Sequence, residues 1–399
     1  TDARRKRPGR EAIAPVARAS RSHPGSGSKA GSTRQAHAPR ARARACSSSV
    51  AAASVARSSA TSTGQPAVAR ARSIIRFRPG CAAPGGKTAV YQVNLDVAPD
   101  KTLLKKIRRA DKLSKMSVLA AAGALSDSGI GAIPPNLGII LATGFGAHVT
   151  TFGFLDDILN YGDAAVSPTT FSKSVHNAAT SYVASSFDIK GPTLTVTQFR
   201  FSFQSALQLA KTWIDQGRCG YVLVGSADQY GDVLGYVSDQ KLTTARDGMI
   251  KPFTFSPTCQ VPGEGAAFFL LGEEHGEKSY CAVQSIFVND VEGPGTADVA
   301  IIDADGLLVD ESAYRQMLSA DTPVTAYSPL FGSMMTGSAF NVAAGALMLK
   351  RQMQYAAPVQ DNPHGLRLLT ESKPARIESI RCIGCGCSGE KAEIVLLRE

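Results

Sequence analysis

The sequence predicts an α/β chain made of two similar halves, each a largely parallel sheet with helices on its faces. Three observations carry this. Short continuous apolar runs such as Leu137–Thr143, Tyr221–Asp228 and Val299–Ile302 read as strands buried on both faces. Stretches with helical spacing lie between them, and regular alternation of strand and helix implies parallel pairing through crossover helices. The alternation restarts after a charged break at Glu273–Glu277, which places the boundary between the halves there.

The chain begins with a segment of different composition. Residues 1–80 hold seventeen Lys and Arg against Asp2 and Glu11, a net of +15 within a total of +10, so residues 81–399 are mildly acidic at −5. The basic balance therefore says nothing about the folded part. Residues 1–86 are rich in Arg, Ala, Ser, Gly and Pro, with almost no large apolar residue before Ile74. They read as a disordered tail that offers no core residues, or as sequence that is not native coding sequence. A transit peptide is the weaker reading, because eighty residues is long for one. A nucleic-acid arm is disfavoured because no aromatics interleave the arginines. The expected organisation is thus tail 1–86, first half 87–272 and second half 273–399. No run of eighteen apolar residues occurs, so no membrane span is expected. Eight cysteines without a secretion signal imply reduced thiols and a cytoplasmic chain.

In order, Lys101–Leu125 reads as one helix, with Leu103, Leu104, Ile107, Leu113, Met116, Val118 and Leu119 apolar and Lys105, Lys106, Arg108 and Arg109 on a basic face. The strand Leu137–Thr143 ends in Thr143-Gly-Phe-Gly146, too short for a nucleotide loop. A helix runs to about Phe187. Leu194–Thr197 is a strand and a helix starts near Ser202, so Thr197–Arg200 must turn sharply between them. A strand that delivers a side chain onto a buried helix N-terminus is a common nucleophile site, because the helix dipole lowers a thiol's pKa there. In the second half, strands are expected at Ala282–Val288, Val299–Ile302, Ile377–Ile383 and Ile394–Leu397, and helices at Asp310–Leu318 and Phe340–Gln354.

The stretch Gly191-Pro-Thr-Leu-Thr-Val-Thr-Gln-Phe-Arg-Phe-Ser-Phe-Gln-Ser-Ala206-Leu resembles the nucleophile segment of β-ketoacyl-ACP synthases, G-P-x-L-x-V-x-T-A-C-S-S-x-x-x-A-L. Ile107–Met116 is similar to the R-R-M-D-x-F-S-x-M of that family. Lys251-Pro-Phe253 with Gly263-Glu-Gly-Ala-Ala267 resembles its P-F-D and G-E-G-A-A motifs. The resemblance covers about residues 90–399 and implies a five-layered thiolase-like αβαβα fold of two similar halves.

Decarboxylative condensation needs a thiolate to hold the acyl chain and two histidine N–H groups to stabilise the enolate. The resemblance sets Arg200 at the cysteine position. It sets Asp305 at the first histidine, within Ile301-Ile-Asp-Ala-Asp-Gly306, and Ser338, or the adjacent Ala339, at the second. All three catalytic positions are degenerate. This implies a chain-length-factor-like member that forms a heterodimer with an active ketosynthase, pairing Leu194–Thr197 across a two-fold axis. It would meet the acyl carrier protein through that complex, in fatty acid, polyketide or aryl-polyene biosynthesis. Members of that group often carry glutamine at the cysteine position, and Arg200 departs from it. The resemblance also sets Phe145 at the end of the acyl tunnel, with His148 and Phe152 on the same face if a helix starts at Phe145. The alternatives are an acyltransferase with a differently built site, and a scaffold without a tunnel.

No cofactor and no metal are expected. Cys382-Ile-Gly-Cys385-Gly-Cys387 has no second C-x-x-C to complete a ligand set. His176 reads as structural. Arg200 faces the positive end of a helix dipole, so it needs a carboxylate beside it, Asp305 first and Asp303 second, or else turns away toward solvent or the dimer interface.

Overall fold

Continuous apolar runs do form the centre of the molecule. The computed structural model describes residues 48–53, 75–78, 89–98, 100–273, 278–291 and 293–399. The core strands of the first half are β1 (Ser48–Ala53), β2 (Gly138–Thr143), β3 (Thr193–Thr197), β4 (Tyr221–Asp228) and β5 (Gly265–Gly272). Those of the second are β6 (Ser279–Val288), β7 (Val299–Ile302), β8 (Val324–Thr325), β9 (Ser379–Cys385) and β10 (Lys391–Leu397). They hydrogen-bond in the order β8-β7-β9-β10-β6-β1-β5-β4-β2-β3.

That order is one pattern used twice. In each half the third strand lies outermost, followed by the second, fourth, fifth and first. In both halves the third and fourth strands run parallel to the second, and the fifth runs antiparallel to the fourth and the first. The two first strands, β1 and β6, pair antiparallel in the middle. Residues 274–277, at the expected boundary, lie outside the described residues.

The main helices are α1 (Lys112–Ser128), α2 (His148–Tyr161), α3 (Ala178–Phe187), α4 (Ser202–Asp215), α5 (Ala313–Met317) and α6 (Ser338–Arg351). Helices α4 and α6 touch strands of both halves and each other, so they form the central layer. Helices α1 and α3 cover the first half and α5 packs on β9, giving five layers in all. The reason is legible in α4. Phe203, Ala206, Leu207, Ala210, Trp213 and Ile214 recur at helical spacing and are buried. Phe203 meets Phe269 of β5, with ring centroids 5.5 Å apart. At the entrance to β3, a Cβ on Gly191 would lie 2.2 Å from the Leu137 carbonyl oxygen, so only glycine lets the chain pass there.

Local chemistry overrides the sequence pattern in several places. The expected helix Lys101–Leu125 is two helices, Lys101–Lys106 and α1. Asp111 accepts a hydrogen bond from Ser114 N at 2.8 Å and so caps a new helix start, which competes successfully with helix continuation. Helix α2 begins at His148 rather than Phe145. A further helix, Asp232–Lys241, has no counterpart in the sequence reading.

The segment expected to be a tail contains two short strands, and the rest of residues 1–86 lies outside the described residues. Ile75–Arg78 pairs with Val90–Val93. The other strand is β1, whose Val50 is opposite Leu271 of β5 on one side and Cys281 of β6 on the other. Backbone ladders need no large side chains, which is why composition gave no warning. Removing residues 1–53 should lower the melting temperature by about 5 °C or more, since each kcal/mol lost is worth roughly 2–4 °C in a domain of a few hundred residues. A melting curve identical to that of the full chain would show that β5 and β6 hold without the strand between them.

Candidate functional site

The centre of the molecule is built where three chain turns converge. The first is Gln198–Phe201, between β3 and α4. Phe201 adopts a left-handed conformation (φ 60°) at the N-cap and gives no side-chain cap, a position that costs a non-glycine residue on the order of 1 kcal/mol. The second is the loop after β7, Asp303–Gly306. Gly306 has φ 80°, and a Cβ there would lie 2.0 Å from the Cys259 carbonyl oxygen. The third is the segment that enters α6 at Ser338.

These turns bring Arg200, Asp305 and Ser338, the three positions singled out in the sequence, to the start of α4. The Arg200 Nη2 atom is 3.8 Å from Asp305 Oδ1, with the two side chains 14% and 6% exposed. That separation is an ion pair without a hydrogen bond, and Nη2 has no hydrogen-bond partner among the described residues. Ser338 Oγ donates to Gln204 Oε1 at 3.2 Å, in the first turn of α4. The Ser202 hydroxyl, fully buried two residues earlier in the same turn, also lacks a partner among the described residues.

Carboxyl groups surround this arginine. Asp303 accepts from the Tyr314 hydroxyl, and Glu311 accepts from Gly306 N at 2.9 Å. Asp305 accepts from Leu307 N at 3.1 Å. Burial, followed by the neighbouring Asp305 charge, pushes the Asp303 carboxyl up to about 7, while Arg200 and hydrogen bonds pull the other way. Burial likewise raises Asp305, against the opposing pull of Arg200. Glu311 is raised well above the usual range by burial and then by Asp305. The loop backbone is pinned independently, since Ser328 and Ser333 hydroxyls donate to the carbonyls of Ala304 and Asp305.

Two further acids organise the surroundings, and the sequence reading assigned neither a role, although Glu264 lies in the Gly263–Ala267 motif. Asp228, at the end of β4, accepts from Gly144 N (2.8 Å), Thr143 Oγ1 (3.1 Å), Thr336 N (3.0 Å) and Thr336 Oγ1 (2.8 Å). It ties the ends of β2 and β4 to the approach to α6. Burial raises its carboxyl and these hydrogen bonds offset part of that. Glu264 is fully buried, accepts from Val93 N at 2.8 Å and Tyr230 N at 3.1 Å, and pairs with Lys112. The available signal was an acid ending an apolar strand (Asp228) and one between glycines ahead of β5 (Glu264).

The residues expected at the tunnel end are partly together. The Phe145 ring lies 5.9 Å from that of His148, edge to face, and 5.4 Å from that of Phe199. Phe145 sits in the turn before α2, not on its helical face, because the helix starts three residues later. Burial holds the His148 imidazole below its usual range. Phe152 is 41% exposed and Phe199 is 63% exposed. His176 and Asn177 line a groove of about 370 Å³ with Thr180, Leu194 and Thr195, along the open edge of β3.

The cysteine cluster does not converge. Cys382 packs in the main core and Cys385 in the smaller second cluster, because residues three apart on a strand face opposite sides. Cys387 is exposed. Among the described residues no group of three or more His, Cys, Asp or Glu side chains is arranged to hold a metal ion.

Residues 82–276 match the family model described as beta-ketoacyl synthase, N-terminal domain. A beta-ketoacyl synthase from Burkholderia phymatum STM815 superposes with a TM-score of 0.64 at 17% identity, over 78% of this chain and 88% of that one. The fold is that of the ketosynthases. The ishigamide ketosynthase/chain length factor superposes with a TM-score of 0.62 at 15% identity, over 73% of this chain and 83% of that one. A type II PKS acyl-carrier protein in complex with its ketosynthase gives a TM-score of 0.62 at 14% identity, over 78% and 88%. No curated protein matches the sequence. Within this ketosynthase fold, the start of α4 is where the two halves meet. Among the described residues no helix is long and apolar enough to cross a membrane.

Replacing Arg200 by Ala removes the cation that faces Asp303, Asp305 and Glu311. Chemical denaturation should show a loss near the lower end of the roughly 3–5 kcal/mol typical of a broken buried pair, because a carboxyl can take up a proton instead. Asp305→Asn should cost less, since Arg200 keeps Asp303 nearby. Equal stability of Arg200→Ala and the parent chain would show that the ion pair contributes nothing.

Proposed function

We propose that this chain is a non-elongating β-ketoacyl synthase-like subunit, a chain-length factor. It pairs with an active ketosynthase in fatty acid, polyketide or aryl-polyene-type biosynthesis and shapes that enzyme's acyl tunnel. The observation that carries the reading is Arg200 beside Asp305 at the start of α4. A guanidinium is always protonated and cannot serve as a nucleophile, and a carboxylate cannot donate the hydrogen bond that an enolate needs. The first half, completed by the strand Ser48–Ala53, and the second half then act as one scaffold, with Ser338 as the third position without condensing chemistry.

The outer face of β3 supports the partner. Its strand is an open sheet edge, with Leu194 41% exposed, and Phe152, Leu155, Phe171, Val175 and Phe199 are also exposed large hydrophobics. An unpaired edge flanked by apolar side chains is a template for another chain. A second chain of the same fold, pairing through its own equivalent strand, would cover it in an interface of the large obligate class. The acyl carrier protein would be met through that complex, in the cytoplasm.

Co-expression with a ketosynthase that carries an intact cysteine and two histidines tests this. A stable complex should elute as one species by size exclusion, and the chain alone should be self-associated or unstable. A well-behaved monomer with no affinity for the ketosynthase would sink the proposal. In the complex, Phe145→Ala should lengthen the product, because Phe145 and Phe199 narrow the space between the start of α2 and the start of α4. If only yield falls at constant product length, these rings are packing and not a gate. Arg200→Cys should not restore condensation in this chain, because no histidine stands at Asp305 or Ser338 to stabilise the enolate, as judged by the absence of elongated product by mass spectrometry.

A further inference from the structure

The carboxyls around Arg200 outnumber the charge that could neutralise them. Asp303 and Asp305 come from the loop after β7, and Glu311 from the approach to α5. Arg200 comes from the other half, on the turn before α4. Asp305 is 4% exposed and Glu311 is 1% exposed. The Tyr314 hydroxyl is bound to Asp303. At the end of β9, Cys385 donates its backbone N–H to the Tyr314 hydroxyl at 3.3 Å, and the Glu390 carboxylate, on the turn joining β9 to β10, adds its charge near Arg200. Among these groups Arg200 is the cation, faced on the inside by the carboxyls of Asp303, Asp305 and Glu311, with Glu390 nearer the surface.

Fully ionised, this set would hold three negative charges around one positive charge in a space largely closed to water. Desolvation and mutual repulsion both disfavour that state, and protonation of a carboxyl relieves both. The backbone of the carboxyl loop is fixed by Ser328 and Ser333. On the opposing turn the backbone is also anchored, with Gln198 N donating to the Thr143 carbonyl at 3.2 Å, but the Arg200 Nη2 atom is held by proximity to Asp305 at 3.8 Å and not by a hydrogen bond. Relief on ionisation therefore begins at the Arg200 side chain and passes to the Gln198–Phe201 turn that carries it.

We propose that Arg200, Asp303, Asp305 and Glu311 form a proton-operated clasp between the two halves, closed while at least one carboxyl carries a proton and loosened when all three are ionised. The sign follows from where the protons sit. The folded chain keeps protons on Asp303 that the unfolded chain releases near the ordinary aspartate value, about 4. Stability is then fully present below about 4 and is lost as pH rises through the folded value of Asp303, about 7. Asp305 and Glu311 are shifted in the same direction and add to it. This is opposite to the usual behaviour of a salt-bridged carboxylate, whose stabilising effect grows with pH. The device is independent of which partner or substrate the chain takes.

The test is thermal unfolding of the full chain between about pH 5 and pH 8.5, for the parent, Asp303→Asn and Glu311→Gln. The parent's melting temperature should fall across this window. In each neutral variant the fall should shrink by at least about half, because a titrating site is gone. Hydrogen exchange gives the local reading. After division by the intrinsic rate at each pH, peptides covering Gln198–Phe203 should lose protection by threefold or more in the parent as pH rises, and stay level in Asp303→Asn. If Asp303→Asn does not fold, Glu311→Gln carries both measurements. Parallel melting profiles for parent and variants, or a parent that gains stability with pH, would overturn the clasp.

Discussion

A guanidinium removed from water must have a carboxylate beside it, and the centre of this molecule is arranged to satisfy that requirement. Arg200 stands at the N-terminus of α4, where unpaired N–H groups already present positive charge. Among the described residues of its own half, no carboxylate pairs with it. The neutralising group arrives from the other half, on a loop that Gly306 allows to turn and that two serine hydroxyls hold in place. The contact between the halves is therefore a charge requirement as well as a packing one. The central helices supply the apolar part, with Phe203, Trp213 and Phe340 buried among strands of both halves.

Much of the fold could be read from the sequence because burial on both faces leaves a strong signature. Tyr221–Asp228, Val299–Ile302 and the start of α4 at Ser202 were all legible as patterns. What escaped was decided by single polar atoms or by backbone alone. The Asp111 side chain, bonding Ser114 N, splits one apolar pattern into two helices. The strand Ser48–Ala53 is defined by its ladders to β5 and β6. Asp228 gathers four hydrogen bonds from segments far apart in sequence, and no local pattern announces such a convergence.

The candidate site was legible to a different degree. That Arg200 needs Asp305 follows from electrostatics once both are assigned to one place, and the 3.8 Å separation agrees with it. That Glu311 joins them, and that three carboxyls share one cation, does not follow from spacing. Glu311 reaches the cluster because it accepts from Gly306 N, five residues back across a loop. At 14–17% identity to solved ketosynthases, the strand order survives while the side chains at the centre are free to differ. A fold set by which residues are buried does not fix the chemistry placed on it.

The repeated strand order gives the centre an internal symmetry as well as a geometry. A unit of five strands used twice has two equivalent helix starts, since α4 follows the third strand of its unit and α6 follows the third strand of the other. Ser202 and Ser338 open these two helices, and the Ser338 hydroxyl reaches Gln204 in the first turn of its counterpart. Each copy thus completes the other, so neither half can drift alone without disturbing its twin. What the duplicated architecture demands at that meeting point is polarity that can be satisfied, not reactivity. A fold with such a centre can seat an ion pair there, as Arg200 and Asp305 do, without any change in its strand order.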